Sequence, residues 1–178
     1  MDQPVAAPRP LEPAAVPAPA GLRVGHAHLR VADLERSVAF YRETLGLDVM
    51  QRFGDRAAFL SADGYHHHLA VNTWGSLGGT PPPAGHTGLF HVAFLYPSRA
   101  ALGAAVARVL AAGVRLTGKA DHGVSEAVYF DAPDANGIEL CRDRPREEWP
   151  IGPDGTLAMG NAALDLDALL AAADEGRP

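Results

Sequence analysis

An α+β fold made of two βαβββ modules is what this sequence predicts, on three observations. Strand and helix signals occur in the order β-α-β-β-β, and then that order repeats. The punctuation of the two copies matches: Leu-Gly-Leu-Asp-Val at 45–49 parallels Ala-Gly-Val-Arg-Leu at 112–116, and His26 opens one copy where His91 opens the other. Self-similarity on that scale implies a duplicated unit. Third, 178 residues with 47% hydrophobic and 20% charged side chains suit a globular core of about this size. Curved mixed sheets from the two modules are expected to enclose a cavity.

The elements follow in order. Residues 1–21 are crowded with proline and alanine, which predicts a disordered tail. It lacks the basic start and apolar run of a signal peptide, so a cytoplasmic location is the expectation. Val24–Val31 reads as a strand. Asp33 is a helix cap, Leu34, Val38, Tyr41 and Leu45 recur at helical spacing, and Gly46 ends the helix. Strands are predicted at Asp48–Phe53, Arg56–Ser61 and Tyr65–Asn72, with turns at Gly54-Asp55 and Asp63-Gly64. Residues 75–88, with Pro81, Pro82 and Pro83, form a connecting loop. The second copy has a strand at Leu89–Tyr96, a helix capped by Ser98 and ended by Gly113, and strands at Val114–Thr117, Ala127–Asp131 and Gly137–Arg142. The modules therefore span about 22–74 and 88–149. Residues 150–178 are an extension whose Leu164, Leu166, Leu169 and Leu170 predict a short amphipathic helix, packed on the domain or on a second subunit.

Composition removes several classes of function. Fifteen Lys and Arg against 21 Asp and Glu leave a formal charge of −6, which disfavours nucleic acid and anionic lipid as partners. No apolar run approaches the ~20 residues that span a bilayer. The single cysteine, Cys141, excludes an intrachain disulfide and a cysteine-rich zinc site.

Eight histidines direct attention to metal and acid–base chemistry. Alternate residues of a strand share a face, which groups His26 with His28 and Arg30, His91 with Ala93 and Leu95, and Glu139 with Gly137 and Cys141. Facing sheets would let His26, His91 and Glu139 converge. Two imidazoles and one carboxylate leave coordination positions open, which suits Fe(II) and dioxygen; Mn(II), Zn(II), Ni(II) and Co(II) also fit such a set. A strand histidine taken alone is more often a hydrogen-bonded structural residue. A Glu139 turned to solvent is the alternative to a buried one, which would be costly unpaired.

The run Gly25-His26-Ala27-His28-Leu29-Arg30-Val31-Ala32-Asp33-Leu34, with Ser37, Phe40-Tyr41 and Leu45-Gly46-Leu47, resembles the opening module of the vicinal oxygen chelate superfamily. That group includes glyoxalase I, bleomycin-resistance proteins and extradiol dioxygenases. The resemblance covers about residues 22–149 and is strongest to the catechol 2,3-dioxygenase branch. It implies an Fe(II)-dependent enzyme that cleaves a catechol-like aromatic ring with dioxygen, with His26, His91 and Glu139 as metal ligands. It implies an acid–base role for His67 within the triplet His66-His67-His68, and substrate-side roles for His122 and Tyr129. Strand alternation then turns His66 and His68 away from His67.

The chain also departs from that branch. Typical extradiol enzymes have four modules, and Ala135 stands where a turn glycine is common. Glyoxalase I carries a glutamate where the histidine triplet falls, and bleomycin-resistance proteins lack the metal set. A glyoxalase-type isomerase or lyase and a noncatalytic binding protein, each with a homodimer as one outcome, remain the alternatives at this stage.

Overall fold

A computed structural model describes residues 14–175. The first part of the predicted tail, 1–13, and residues 176–178 lie outside the described residues. Residues 14–26 are exposed and contain neither helix nor strand.

The first module comprises β1 (Ala27–Arg30), α1 (Leu34–Leu45), β2 (Asp48–Phe53), β3 (Ala57–Ser61) and β4 (Leu69–Asn72). The second comprises β5 (Val92–Leu95), α2 (Arg99–Ala111), β6 (Leu116–Asp121), β7 (Ser125–Asp131) and β8 (Gly137–Asp143). A 3-10 turn at Arg146–Glu148 leads to α3 (Leu166–Glu175). The strand orders are β1-β4-β3-β2 and β5-β8-β7-β6, in two separate four-stranded sheets. In each, the first strand runs parallel to the last and the other pairings are antiparallel. The fold is α+β, and no ladder joins the two sheets into one among the described residues.

The duplication reaches single residues. His28 pairs with Ala70 and Ala70 with Phe59; in the second sheet Ala93 pairs with Glu139 and Glu139 with Tyr129. The ladder between the second and third strands is interrupted at the same place in both copies, at Val49/Gln51 and at Leu116/Gly118. By this register His26 corresponds to His91, Ala70 to Glu139 and Phe59 to Tyr129.

Both crossover helices are closed by local chemistry. Asp33 accepts from the Arg36 N–H at 3.0 Å, and Ser98 Oγ accepts from the Ala101 N–H at 3.1 Å, so each caps an otherwise unpaired donor. Gly46, at φ 71°, supplies the left-handed residue that ends α1. One apolar core includes Val38 and Tyr41 from α1, Val106 and Val109 from α2, and residues of both sheets. Phe40 and Phe130 meet across the modules at 6.3 Å.

The helix predicted after residue 164 packs on α2. Leu164, Leu169 and Ala172 are buried. At Gly103 the helices approach so closely that a Cβ would lie 2.3 Å from the Leu169 carbonyl oxygen. Glycine is needed there for lack of room, since its conformation is ordinary helix.

Strands β1, β4 and β5 start three or four residues later than the sequence suggests, β6 starts at Leu116 in place of Val114, and β3 at Ala57 in place of Arg56. β1 and β5 begin at Ala27 and Val92, so His26 and His91 each stand one residue before their strand. β4 begins at Leu69 and leaves the histidine triplet in a bend. Asp63 and Gly64 turn the chain with φ of 57° and 80°. The Ala62 N–H then donates to His68 Nδ1 at 3.3 Å, and Ser61 Oγ lies 3.0 Å from that nitrogen. These bonds draw His68 inward before the ladder starts.

The β7–β8 turn docks the second module on the first. Asp134 pairs with Arg36 and accepts from Ser37 Oγ at 3.4 Å. Ala135 follows at φ 57°, a left-handed conformation that costs an L-residue about 1–2 kcal/mol. Ala135→Gly removes that strain at the cost of some unfolded-state entropy. It is expected to raise stability by about 0.5–1 kcal/mol in denaturant unfolding; no gain would show that the turn carries no strain.

Candidate active site

Glu139 sits on β8 between two cross-strand neighbours, Ala93 on β5 and Tyr129 on β7. Residues paired across a sheet share a face, so the small Ala93 leaves room beside the carboxylate while Tyr129 reaches it. The Tyr129 hydroxyl donates to Glu139 Oε1 at 3.2 Å, and His91 Nε2 lies 2.9 Å from Glu139 Oε2. The other nitrogen of His91, Nδ1, is buried without a partner, so Nε2 is the polar outlet of that ring. His122 follows β6 at the head of the β6–β7 turn. Its Nε2 lies 2.8 Å from the Tyr129 hydroxyl and its Nδ1 2.9 Å from the Gly160 carbonyl oxygen.

Glu139 is 9% exposed and has no lysine or arginine partner among the described residues. The comparison with Glu126, 4% exposed, is direct. Arg99 Nε and Arg142 Nε bind Glu126 at 3.1 and 2.8 Å, and Arg144 stands 3.7 Å away. One buried glutamate is neutralised by arginines, while among the described residues the other meets only an imidazole and a hydroxyl. A buried carboxylate is costly without a cation. The donors around Glu139, an imidazole nitrogen and a carboxylate, are those that divalent transition metals take, so the residues fit a metal. Burial, followed by the charge of Glu139 and the bond to it, pushes the Tyr129 hydroxyl up to about 12, so it is a proton-bearing donor at neutral pH. Burial and Glu139 likewise push the Cys141 thiol up to about 12, which leaves it a small buried hydrophobe.

The first module supplies a second group. The His26 ring lies 4.2 Å from His67 and 6.5 Å from His66. His66 and His67 turn their Nδ1 atoms to within 2.7 Å of each other. The expectation that His66 faces away from His67 therefore fails, because the triplet is in a bend where alternation does not operate. His68 does turn aside, toward Ser61. Burial and then the surrounding histidines, His26 first, lower the pKa of His67. His28 is lowered by burial and then by His26; its Nε2 accepts from the Asn72 side-chain amide at 2.9 Å. Asn72 Oδ1 in turn accepts from the Trp74 N–H at 2.9 Å.

The candidate residues thus fall into two sets: His91, Tyr129, Glu139 and His122 in contact in one module, and His26 with His67 in the other. Among the described residues no three His, Cys, Asp or Glu side chains gather in a metal-holding arrangement, so His26 stands apart from His91 and Glu139. Sequence reading missed Asn72 and Gly160. A polar residue closing an otherwise apolar strand marks the first; the second acts through its carbonyl and has no side-chain signal.

A duplicated βαβββ chain defines a class of fold, and comparison with known proteins gives the class its name. Residues 23–140 match the model of the Glyoxalase/Bleomycin resistance protein/Dioxygenase superfamily, and the chain belongs to it. It is 40% identical over 154 residues to a catechol-2,3-dioxygenase of Bacillus subtilis, covering 86% of this chain and 53% of that protein. It is 31% identical over 124 residues to a biphenyl-2,3-diol 1,2-dioxygenase of Rhodococcus globerulus, covering 68% of this chain and 63% of that one. The chain thus spans between about half and two thirds of these relatives. A glyoxalase/dioxygenase from Nostoc punctiforme shares the fold at 22% identity and a TM-score of 0.58, covering 74% of this chain and 98% of that structure.

Gly137 sets the placement of His91. A Cβ there would lie 2.0 Å from the Phe90 carbonyl oxygen and 3.2 Å from His91 Cβ. Gly137→Ala is expected to destabilise the chain by about 1–3 kcal/mol in denaturant unfolding. Gly88→Ala, where the added methyl meets open space, should change stability by under about 0.5 kcal/mol. Equal effects of the two would refute the close-approach role.

Proposed function

We propose that the protein is an Fe(II)-dependent extradiol dioxygenase that opens the ring of a catechol-like substrate. The observation that carries this reading is the buried Glu139 carboxylate, paired with His91 and Tyr129 and with no lysine or arginine partner among the described residues. The relatedness to two aromatic-diol dioxygenases supports the reaction class. In this reading His91 and Glu139 hold the ion, and His26, at the register position equivalent to His91 but apart from that pair in the structure, must approach it to serve as the third donor. When bound, ferrous iron supplies the electron transfer between an aromatic diol and dioxygen that no side chain can perform.

The chain's own residues handle protons and orientation. Burial and then the neighbouring histidines lower the basicity of His67, which favours its neutral form. Its Nδ1 lies 2.7 Å from His66 Nδ1; with the shared hydrogen carried by His67 Nδ1, the bare Nε2 is the nitrogen that takes a proton from a substrate hydroxyl. Tyr129 keeps its proton and presents it as a hydrogen-bond donor, and His122 holds Tyr129 from the far side. Trp74 and Phe59, each about 6 Å from His28, give that sheet an aromatic face suited to a planar ring. No helix among the described residues is long and apolar enough to cross a membrane, which accords with the proposed cytoplasmic site of action.

The test is anaerobic loading with Fe(II) followed by an oxygen-electrode screen of substituted catechols. Oxygen uptake matched by ring-cleaved product is expected. Bound metal without uptake would favour Lewis-acid chemistry of the glyoxalase kind, and a chain that retains no metal would favour a binding protein. His26→Ala, His91→Ala and Glu139→Ala should each abolish stoichiometric metal retention in a chain that stays folded by circular dichroism. Full metal content in all three would refute the ligand set. His67→Phe should keep the metal and slow turnover by about a hundredfold or more; unchanged turnover would remove its catalytic role.

A further inference from the structure

We infer that the segment following the second module is a positioning strap, which fixes His122 with its ring hydrogen on Nδ1 and so makes Nε2 the acceptor that faces Tyr129. The inference rests on the reading of His122 as a site residue. It concerns residues past 140, outside the part of the chain that matches the superfamily model.

The strap is tied to the β6–β7 turn by backbone. Asp121 and Ala162 exchange two N–H···O bonds of 2.9 Å each, and the Gly160 N–H donates to the His122 carbonyl at 3.0 Å. Its own shape is set by a small hairpin in which Ile151 bridges Leu157 and Gly152 N–H donates to the Thr156 carbonyl at 2.8 Å. Beyond it, Lys119 Nζ donates to the Leu164 carbonyl at 3.0 Å and Arg99 to the Ala168 carbonyl at 2.9 Å. The far end is therefore anchored to the second module as well.

The Gly160 carbonyl lies 2.9 Å from His122 Nδ1. A carbonyl oxygen only accepts, so Nδ1 carries the hydrogen. In the neutral ring that leaves Nε2 with a lone pair, 2.8 Å from the Tyr129 hydroxyl. The hydroxyl has one hydrogen and two acceptors, His122 Nε2 and, at 3.2 Å, Glu139 Oε1. With Nε2 bare, the hydrogen that Tyr129 gives Glu139 Oε1 is shared with the nearer His122 Nε2. With the other tautomer, Nε2–H would donate to the Tyr129 oxygen and drive the hydroxyl hydrogen toward Glu139. The strap decides between these patterns through His122. Gly160 is thus a positioning residue that acts through its carbonyl.

The test reads the tautomer directly. Long-range nitrogen–proton correlation spectra of the metal-free full chain distinguish the protonated from the bare ring nitrogen of His122. Wild type is expected to show Nδ1 protonated. Gly160→Pro removes the N–H that bonds His122, and Ala162→Pro removes the N–H that bonds Asp121; either should shift the ring toward the Nε2-protonated form. Asn161→Ala, at an exposed neighbouring position, should leave the wild-type spectrum. With Fe(II) and a catechol, the proline variants should lose about tenfold in kcat while KM moves by less than about twofold. Wild-type His122 protonated on Nε2 would overturn the inference whether or not the variants fold, and so would a folded proline variant with an unchanged tautomer. A shifted tautomer in a chain that never consumes oxygen would support the strap and refute the dioxygenase reading instead.

Discussion

A buried carboxylate with no lysine or arginine partner among the described residues governs the second module. Glu139 lies between Ala93 and Tyr129 because β8 pairs with β5 and β7 in one register. A slip of one residue would put Ile138 or Leu140 at that position and send the carboxylate into the apolar core. The register is set by the β7–β8 turn, where Ala132 exchanges backbone bonds with Ala135 and Asn136 at 2.9 Å. Asp134 in that turn also ties it to α1. The site's register and one polar contact between the modules therefore share the same five residues of chain.

Much of this was legible in the sequence because it follows from period and punctuation. The ten-residue spacing of Tyr129 and Glu139 is what a hairpin with a short turn produces. The caps at Asp33 and Ser98 and the stop at Gly46 were legible for the same reason: each is a local rule about unpaired backbone groups. The histidine triplet was misread because its geometry comes from Ser61 and Ala62 capturing His68, which no alternation rule contains. The separation of His26 from His91 and Glu139 is a matter of how one sheet sits relative to the other, and no short-range signal encodes it. Gly160 is silent in sequence because its carbonyl is the same as every other.

The duplication is close in backbone and unequal in chemistry. Where the second module has Glu139 and Tyr129, the first has Ala70 and Phe59. Ala70 is fully buried, with His28 and Phe59 as its cross-strand neighbours. The first module contributes imidazoles and aromatic faces, and the second the charge and the hydrogen-bonded relay. Fold symmetry alone would suggest two equivalent half-sites; the side chains specialise them.

The parallel pairing of the first and last strands in each module has a consequence for how the chain folds. β1 finds its partner only when β4 has been made, so the segment from Ala27 to Asn72 must be complete before its first strand is anchored. The span from Val92 to Cys141 repeats that requirement. Loop-closure entropy is thus met in two moderate steps in place of one long one. Each sheet can close during synthesis before the next has left the ribosome. Helix α2 is the exception: Gly103 receives its covering backbone from Leu169, far along the chain. That face of α2 stays open to solvent, or to a chaperone, until the final helix arrives.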